Sequence, residues 1–171
     1  VGARIMCGIV GFLAARNGAN ADTLRAWTED SCAALAHRGP DDAGVWINEE
    51  AGVALGHRRL AVLDLSPAGH QPMDSADGRY VIVYNGEIYN FRALRDELAA
   101  RGAVFTTESD TEVLLAGIVT WGVAETLRRA NGMFAFGLWD RKSRELTLAR
   151  DRFGQKPLYY GDIGGGVFGF A

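Results

Sequence analysis

The stretch GMFAFGLWD, Gly132 to Asp140, limits the possible folds more than any other part of the chain. Side chains of an extended segment point alternately to opposite faces. Here Met133, Ala135 and Trp139 are apolar on one face, and Phe134, Phe136 and Leu138 on the other. A strand with two apolar faces must be covered on both sides. ELTLARD, KPLYYGD and GGVFGFA follow as close-spaced β runs joined by turns, whereas helical patterns lie early and in the middle. Together these features predict two packed sheets with helices outside. At 171 residues the chain fits one domain and is long enough to bury such a core. The order of the layers does not follow from these patterns.

Periodicity and stop signals place the other elements. Ala21 to His37 reads as a helix with Leu24, Trp27, Ser31 and Leu35 on one mainly apolar stripe, broken by the Gly-Pro of HRGPDDAG. GVWI and GVALGHRRLAVLDL read as strands and loop, and YVIVYNGEIYN, Tyr80 to Asn90, as a strong β run ending in a turn. Asn90 is placed to cap a helix whose Phe91, Leu94 and Leu98 face inward and which Gly102 stops. Ser109-Asp110-Thr111-Glu112 spells a capping box, opening a helix through Leu114, Ile118 and Trp121. A short helix is expected from Val123 to Arg129.

Lys and Arg number 18 against 21 Asp and Glu, so there is no basic footprint for nucleic acid or an anionic membrane, and both partners are discounted. No apolar run reaches the roughly 18 residues of a membrane span. Val1 to Met6 lacks the apolar core of a secretory signal, and a cytoplasmic setting is expected. There Cys7 and Cys32 are not expected to pair, nor can two cysteines make a metal quartet. His37, Asp41 and Asp42 have the wrong spacing for metal ligands, so no metal is expected. Val167 to Phe170 would leave an open apolar edge, which suggests the front piece of a longer protein.

The chemistry centres on RIMCGIVGF, where Cys7 stands at the start of a strand whose glycines permit close approach. A cysteine near neutrality needs a base or a lowered pKa to attack. If Met6 is the initiator and is removed, Cys7 carries its own base: an α-amine has a pKa of about 7.7–8.0, close to the thiol's. The plainer reading is a buried cysteine acting as a small hydrophobe. In YNGEIYN, Asn85 offers a side-chain amide, Gly86 a backbone N–H and Glu87 a carboxylate. Two convergent N–H donors suit an acyl oxyanion, although an Asn-Gly pair is commonly a hairpin turn. Arg58 or Arg59 of GHRRL could fork a carboxylate, and Asp110 could hold an ammonium. Each of these also reads as an ordinary surface or helix-start residue.

Taken together, the residues resemble the class II glutamine amidotransferase domain, an N-terminal-nucleophile hydrolase, in its asparagine synthetase branch. MCGIVGF, HRGPDDAG, GHRRLAVLDLSPAGHQP, YNGEIYN, ESDTEVLL, NGMFAFGLWD and ARDRFGQKPLYY stand in the family's order from Met6 to Ala171. The resemblance implies an α+β fold, a four-layer α/β/β/α sandwich of two mainly antiparallel sheets. It implies Cys7 as nucleophile with its α-amine as base, and Asn85 with the Gly86 amide as oxyanion hole. Arg59 would take the substrate α-carboxylate, and Glu87 and Asp110 its α-ammonium, while His37 and Arg38 shape the nearby loop. Residues 1–6 would then be a leader or overcalled start, and residues 7–171 the amidotransferase domain.

Glutamine would be hydrolysed to glutamate and ammonia through a γ-glutamyl thioester. The family's ATP-using domain, with its SGGxDS segment, is not in this sequence. No cofactor is expected in this domain, and ATP and Mg are expected in that synthetase domain. The expected partners are L-glutamine, the ammonia-accepting synthetase domain of the same longer chain, and a second copy in a homodimer. Two other readings stay open: a catalytically silent interaction module with an unprocessed start, and a cysteine–histidine amidase using His57 or His70.

Overall fold

The computed structural model describes residues 6–15, 18–60 and 69–171. The Val1–Ile5 part of the expected leader and the AVLDL end of the second strand-and-loop segment lie outside them. Among the described residues, β1 (Gly8–Ala14), β2 (Asp42–Asn48), β3 (Val53–Arg59), β8 (Tyr160–Asp162) and β9 (Val167–Phe170) form one sheet in the order β2-β3-β1-β9-β8. The other sheet is β4 (Met73–Asp74), β5 (Tyr80–Ile88), β6 (Gly132–Asp140) and β7 (Glu145–Arg150), in chain order. Every pairing is antiparallel. Helices α1 (Ala21–Ala34), α2 (Phe91–Ala100), α3 (Asp110–Trp121) and α4 (Val123–Arg129) complete the fold.

The two-residue period sorts side chains into three apolar layers. Val10, Phe12 and Ala54 face outward onto Leu24 and Cys32 of α1. Ile9, Val53, Leu55, Val81, Val83, Ala135 and Trp139 fill the space between the sheets. Ile82, Tyr84, Phe134, Phe136 and Leu138 face the other way, onto Leu94 and Leu98 of α2 and Leu114 and Ile118 of α3. The order is helix, sheet, sheet, helix, and β6 is covered on both faces as its sequence requires. Phe170 sits between the sheets with Gly11 on one side and Gly137 on the other, and a Cβ on either glycine would fall on its ring. The close approach expected at the glycines of GIVGF is made by this ring at Gly11 and by the Leu35 side chain at Gly8.

Some local expectations are corrected. Helix α1 stops at Ala34 and buries Leu24, Thr28 and Cys32, whereas Trp27 is 38% exposed. Asn20 caps it, accepting from the Thr23 amide at 2.8 Å. Asn90 does not cap α2 with its side chain: its Nδ2 donates to the Arg129 carbonyl and its Oδ1 accepts from the Asn131 amide. No capping box opens α3. Ser109 Oγ accepts from Thr111 N, and Glu112 takes the amides and hydroxyls of Thr106 and Thr107 instead of reaching back to Ser109. Cys7 and Cys32 are both free thiols.

Candidate active site

The layering that builds the core also builds a cavity. At the end of the sandwich, the inward register that carries Val53 and Leu55 on β3 continues to His57 and Arg59, and that of Val81 and Val83 on β5 continues to Asn85 and Glu87. Apolar inward residues give way to polar ones there, and a cavity of about 570 Å³ opens. Cys7, Arg59, Asn85, Gly86, Glu87 and Asp110 all line it. All six expected site residues, 103 positions apart at the extremes, therefore meet at one place. Arg58, on the opposite face of β3, donates from Nε to the Gly39 carbonyl, which leaves Arg59 as the cavity arginine.

The Cys7 sulfur accepts from the Leu60 amide at 3.3 Å. Burial pushes its thiol pKa up, and the Leu60 amide and the charges of Lys156 and Arg59 offset only part of that rise. Asn85 and Gly86 lie inside β5 instead of forming a hairpin turn, and Asn85 is 3% exposed. Along β5 the amides of Tyr84 and Ile88 turn away from β6, to Gln71 Oε1 at 2.6 Å and to Asp110 Oδ2 at 2.8 Å. The Gly86 amide, two residues from each, shares their edge. On β6 the opposing Phe134 turns its own backbone to Asp151, so it does not engage Gly86.

Asp110 Oδ2 also accepts from the Tyr84 hydroxyl at 2.9 Å. Burial raises the Asp110 pKa against these two donors, and the neighbouring Glu87 charge raises it further. The cavity thus presents cations, Arg59 and Lys156, and anions, Glu87 and Asp110, in one polar space. That pairing suits a ligand bearing a carboxylate and an ammonium.

Neither histidine expected of a cysteine–histidine amidase lines the cavity. His57 is 1% exposed, donates from Nε2 to the Tyr84 carbonyl, and is driven by burial down to about 4. His70 is held on Asp42 at 2.7 Å. His37 turns Nδ1 to the Ala34 carbonyl at the end of α1, away from the cavity lining. Among the described residues, no three His, Cys, Asp or Glu side chains converge as metal ligands.

Among the cavity residues that carried no expected role are Gln71, Tyr84 and Lys156. Gln71 and Lys156 stand in the motifs GHRRLAVLDLSPAGHQP and ARDRFGQKPLYY, the only sequence signal that pointed to them. Tyr84 opens the motif YNGEIYN, which likewise assigned it no role, and its hydroxyl contact with Asp110 reveals more.

Residues 6–171 match the family described as glutamine amidotransferase domain. The chain is 46% identical over 174 residues to a Mycobacterium tuberculosis protein bearing the name of a glutamine-hydrolyzing asparagine synthetase, with 95% of this chain and 26% of that protein covered. It is 43% identical over 159 residues to glutamine-hydrolyzing asparagine synthetase 3 of Bacillus subtilis, covering 91% of this chain and 25% of the relative. The chain therefore spans about a quarter of the length of the curated relatives it matches. Among solved structures, glutamine phosphoribosylpyrophosphate amidotransferase from B. subtilis superposes with a TM-score of 0.75 at 22% identity, covering 95% of this chain and 41% of that one. That likeness concerns the fold, and it agrees with the sandwich described above. By its match along nearly the whole sequence, the chain belongs to the glutamine amidotransferase domain family.

Proposed function

We propose that this domain hydrolyses L-glutamine to glutamate and ammonia, with Cys7 as an N-terminal nucleophile after removal of residues 1–6. The observation that carries the reading is the meeting of Cys7, Arg59, Asn85, Gly86, Glu87 and Asp110 in one cavity. Arg59 forks the substrate α-carboxylate, and Glu87 and Asp110 take its α-ammonium, which leaves the side-chain amide directed at Cys7. The α-amine of Cys7 accepts the thiol proton as sulfur attacks the amide carbon. Asn85 and the Gly86 amide stabilise the oxyanion, a contribution worth ~2.7–4 kcal/mol for each donor in comparable sites. Collapse breaks the C–N bond, and the α-ammonium returns its proton to the departing nitrogen. Ammonia leaves a γ-glutamyl thioester, and water, deprotonated by the same amine, releases glutamate and the thiol.

The names of the relatives and their greater length support a second part of the proposal. The ammonia passes to an ATP- and Mg-dependent synthetase domain of the same longer cytoplasmic protein, where a carboxylate accepts it. The test is glutamine-dependent ammonia release by protein beginning at Cys7, with its start verified by intact mass. Release is expected from that form and not from its Cys7→Ala variant. Equal release from protein verified to retain Met6 throughout the assay would show that the α-amine is not the base.

A further inference from the structure

Lys156 is a lysine in an unusual place. It is 5% exposed, it lines the cavity with Cys7, and among the described residues no carboxylate lies within ion-pair distance of its ammonium. Its Nζ instead donates to Met6 Sδ at 3.0 Å, and a thioether is a weak acceptor. Burying a charge without a strong partner is costly, so its setting needs another explanation.

The loop that carries it is built to hold it there. The Asp151 carboxylate, 6% exposed, accepts from the amides of Phe134, Phe153, Gln155 and Lys156 at 3.0–3.2 Å. This ties the loop after β7 to β6 and fixes the Lys156 backbone beside the end of the sandwich. The charged groups facing Lys156 are Cys7, Glu87, Asp151 and Arg38, and those facing Cys7 are Lys156 and Arg59. Its contact, Met6, is the residue whose removal frees the Cys7 α-amine. On that removal the ammonium loses its thioether partner, and the nitrogen freed on Cys7 is an amine that must be unprotonated to act as a base. A nearby positive charge disfavours protonation of an amine and favours ionisation of a thiol.

We propose that Lys156 is a positioning residue that sets the charge state of the nucleophile, its buried ammonium keeping the Cys7 α-amine neutral at rest and stabilising the negative charge on sulfur as the thiol proton passes to that amine. The inference rests on the reading of Cys7 as an N-terminal nucleophile, and its test is separable from that reading. Protein beginning at Cys7 is compared with its Lys156→Met, Lys156→Gln and Lys156→Arg variants. Alkylation of Cys7 by iodoacetamide is followed against pH by peptide mass, and glutamine hydrolysis is measured alongside.

Both neutral variants should move the alkylation midpoint up by about one pH unit, so that the rate near neutral pH falls about tenfold. They should lower kcat with KM changed less than about threefold, and Lys156→Arg should recover most of both effects. Neutral variants that stay folded by circular dichroism and alkylate with the parent's pH profile would overturn the proposal. Loss of folding in both neutral variants, with Lys156→Arg folded, would also overturn it by assigning the ammonium to structure. Failure of the parent protein to release ammonia would count against the glutaminase reading alone, because the alkylation shift still decides the role of Lys156.

Discussion

Asp110, to which the proposal gives part of the substrate ammonium, is held in place by its neighbours on β5. Its Oδ2 is held by the Tyr84 hydroxyl and the Ile88 amide, which fixes the carboxylate at the first turn of α3. Burial and the Glu87 charge work the other way and raise its pKa, a pressure that a bound ammonium would relieve. Tyr84→Phe should therefore weaken glutamine binding by loosening Asp110. Steady-state kinetics should show KM up roughly tenfold, from loss of one hydrogen bond to a charged group, with kcat little changed. An unchanged KM would separate Tyr84 from substrate binding.

His57 makes a prediction of the opposite kind, about stability. Its pKa falls from an ordinary 6.5 to about 4 because burial disfavours the cation. Between those values the unfolded chain binds the proton and the folded one does not, so stability rises with pH across that window and is lost as pH falls through it. The full loss is about 3 kcal/mol. Asp110, whose pKa is raised, contributes with the opposite sign, so the comparison must be made against a variant. Urea unfolding of His57→Gln should show a shallower decline from pH 6.5 to 4 than the parent. Identical slopes would mean that His57 does not titrate in this way.

At the scale of elements, the two sheets are spaced by what can fit between glycines. The Phe170 ring lies against both Gly11 of β1 and Gly137 of β6, and Phe170 is 3% exposed. A methyl group at either glycine must displace a ring that has nowhere to go. Gly137→Ala should destabilise the fold by about 1–3 kcal/mol, read as a lower urea midpoint at unchanged slope. A midpoint equal to the parent's would show that the ring can move aside.

The same reasoning explains why some elements were legible in the sequence and others were not. The two-faced burial of β6 followed directly from alternation of large apolar side chains. The buried face of α1 was misread because hydrophobicity drew attention to Trp27, whereas packing selected by size. A Cβ on Gly56 of β3 would meet Thr28 Cγ2 at 2.6 Å and Cys32 Sγ at 2.7 Å, so helix and sheet approach through small residues. Thr28 tolerates this burial because its hydroxyl donates to the Leu24 carbonyl within the helix. The six expected cavity residues were readable because the family resemblance singled them out. Gln71, Tyr84 and Lys156 were not, since their roles arise from contacts between segments distant in sequence.

For the molecule as a whole, the site has no existence within either sheet alone. Arg59 belongs to the sheet that carries α1 and Cys7 directly precedes its strand β1, whereas Asn85, Gly86 and Glu87 belong to the partner sheet, and Asp110 enters from the far helical layer. What holds these groups across the gap is the inter-sheet layer of Ile9, Val53, Leu55, Val81, Val83, Trp139 and Phe170. A site assembled this way should fail when the two sheets separate, and not before. In urea, loss of glutamine hydrolysis and loss of the far-ultraviolet circular dichroism signal should share one midpoint. Leu55→Ala, at a position with no exposure, should lower both midpoints together, by an amount equivalent to about 2–5 kcal/mol. Activity lost well below the structural transition would instead place control of the site in a segment that opens locally. The loop that ties Lys156 to Asp151 would then be the first place to look, because it borders the cavity without belonging to either sheet.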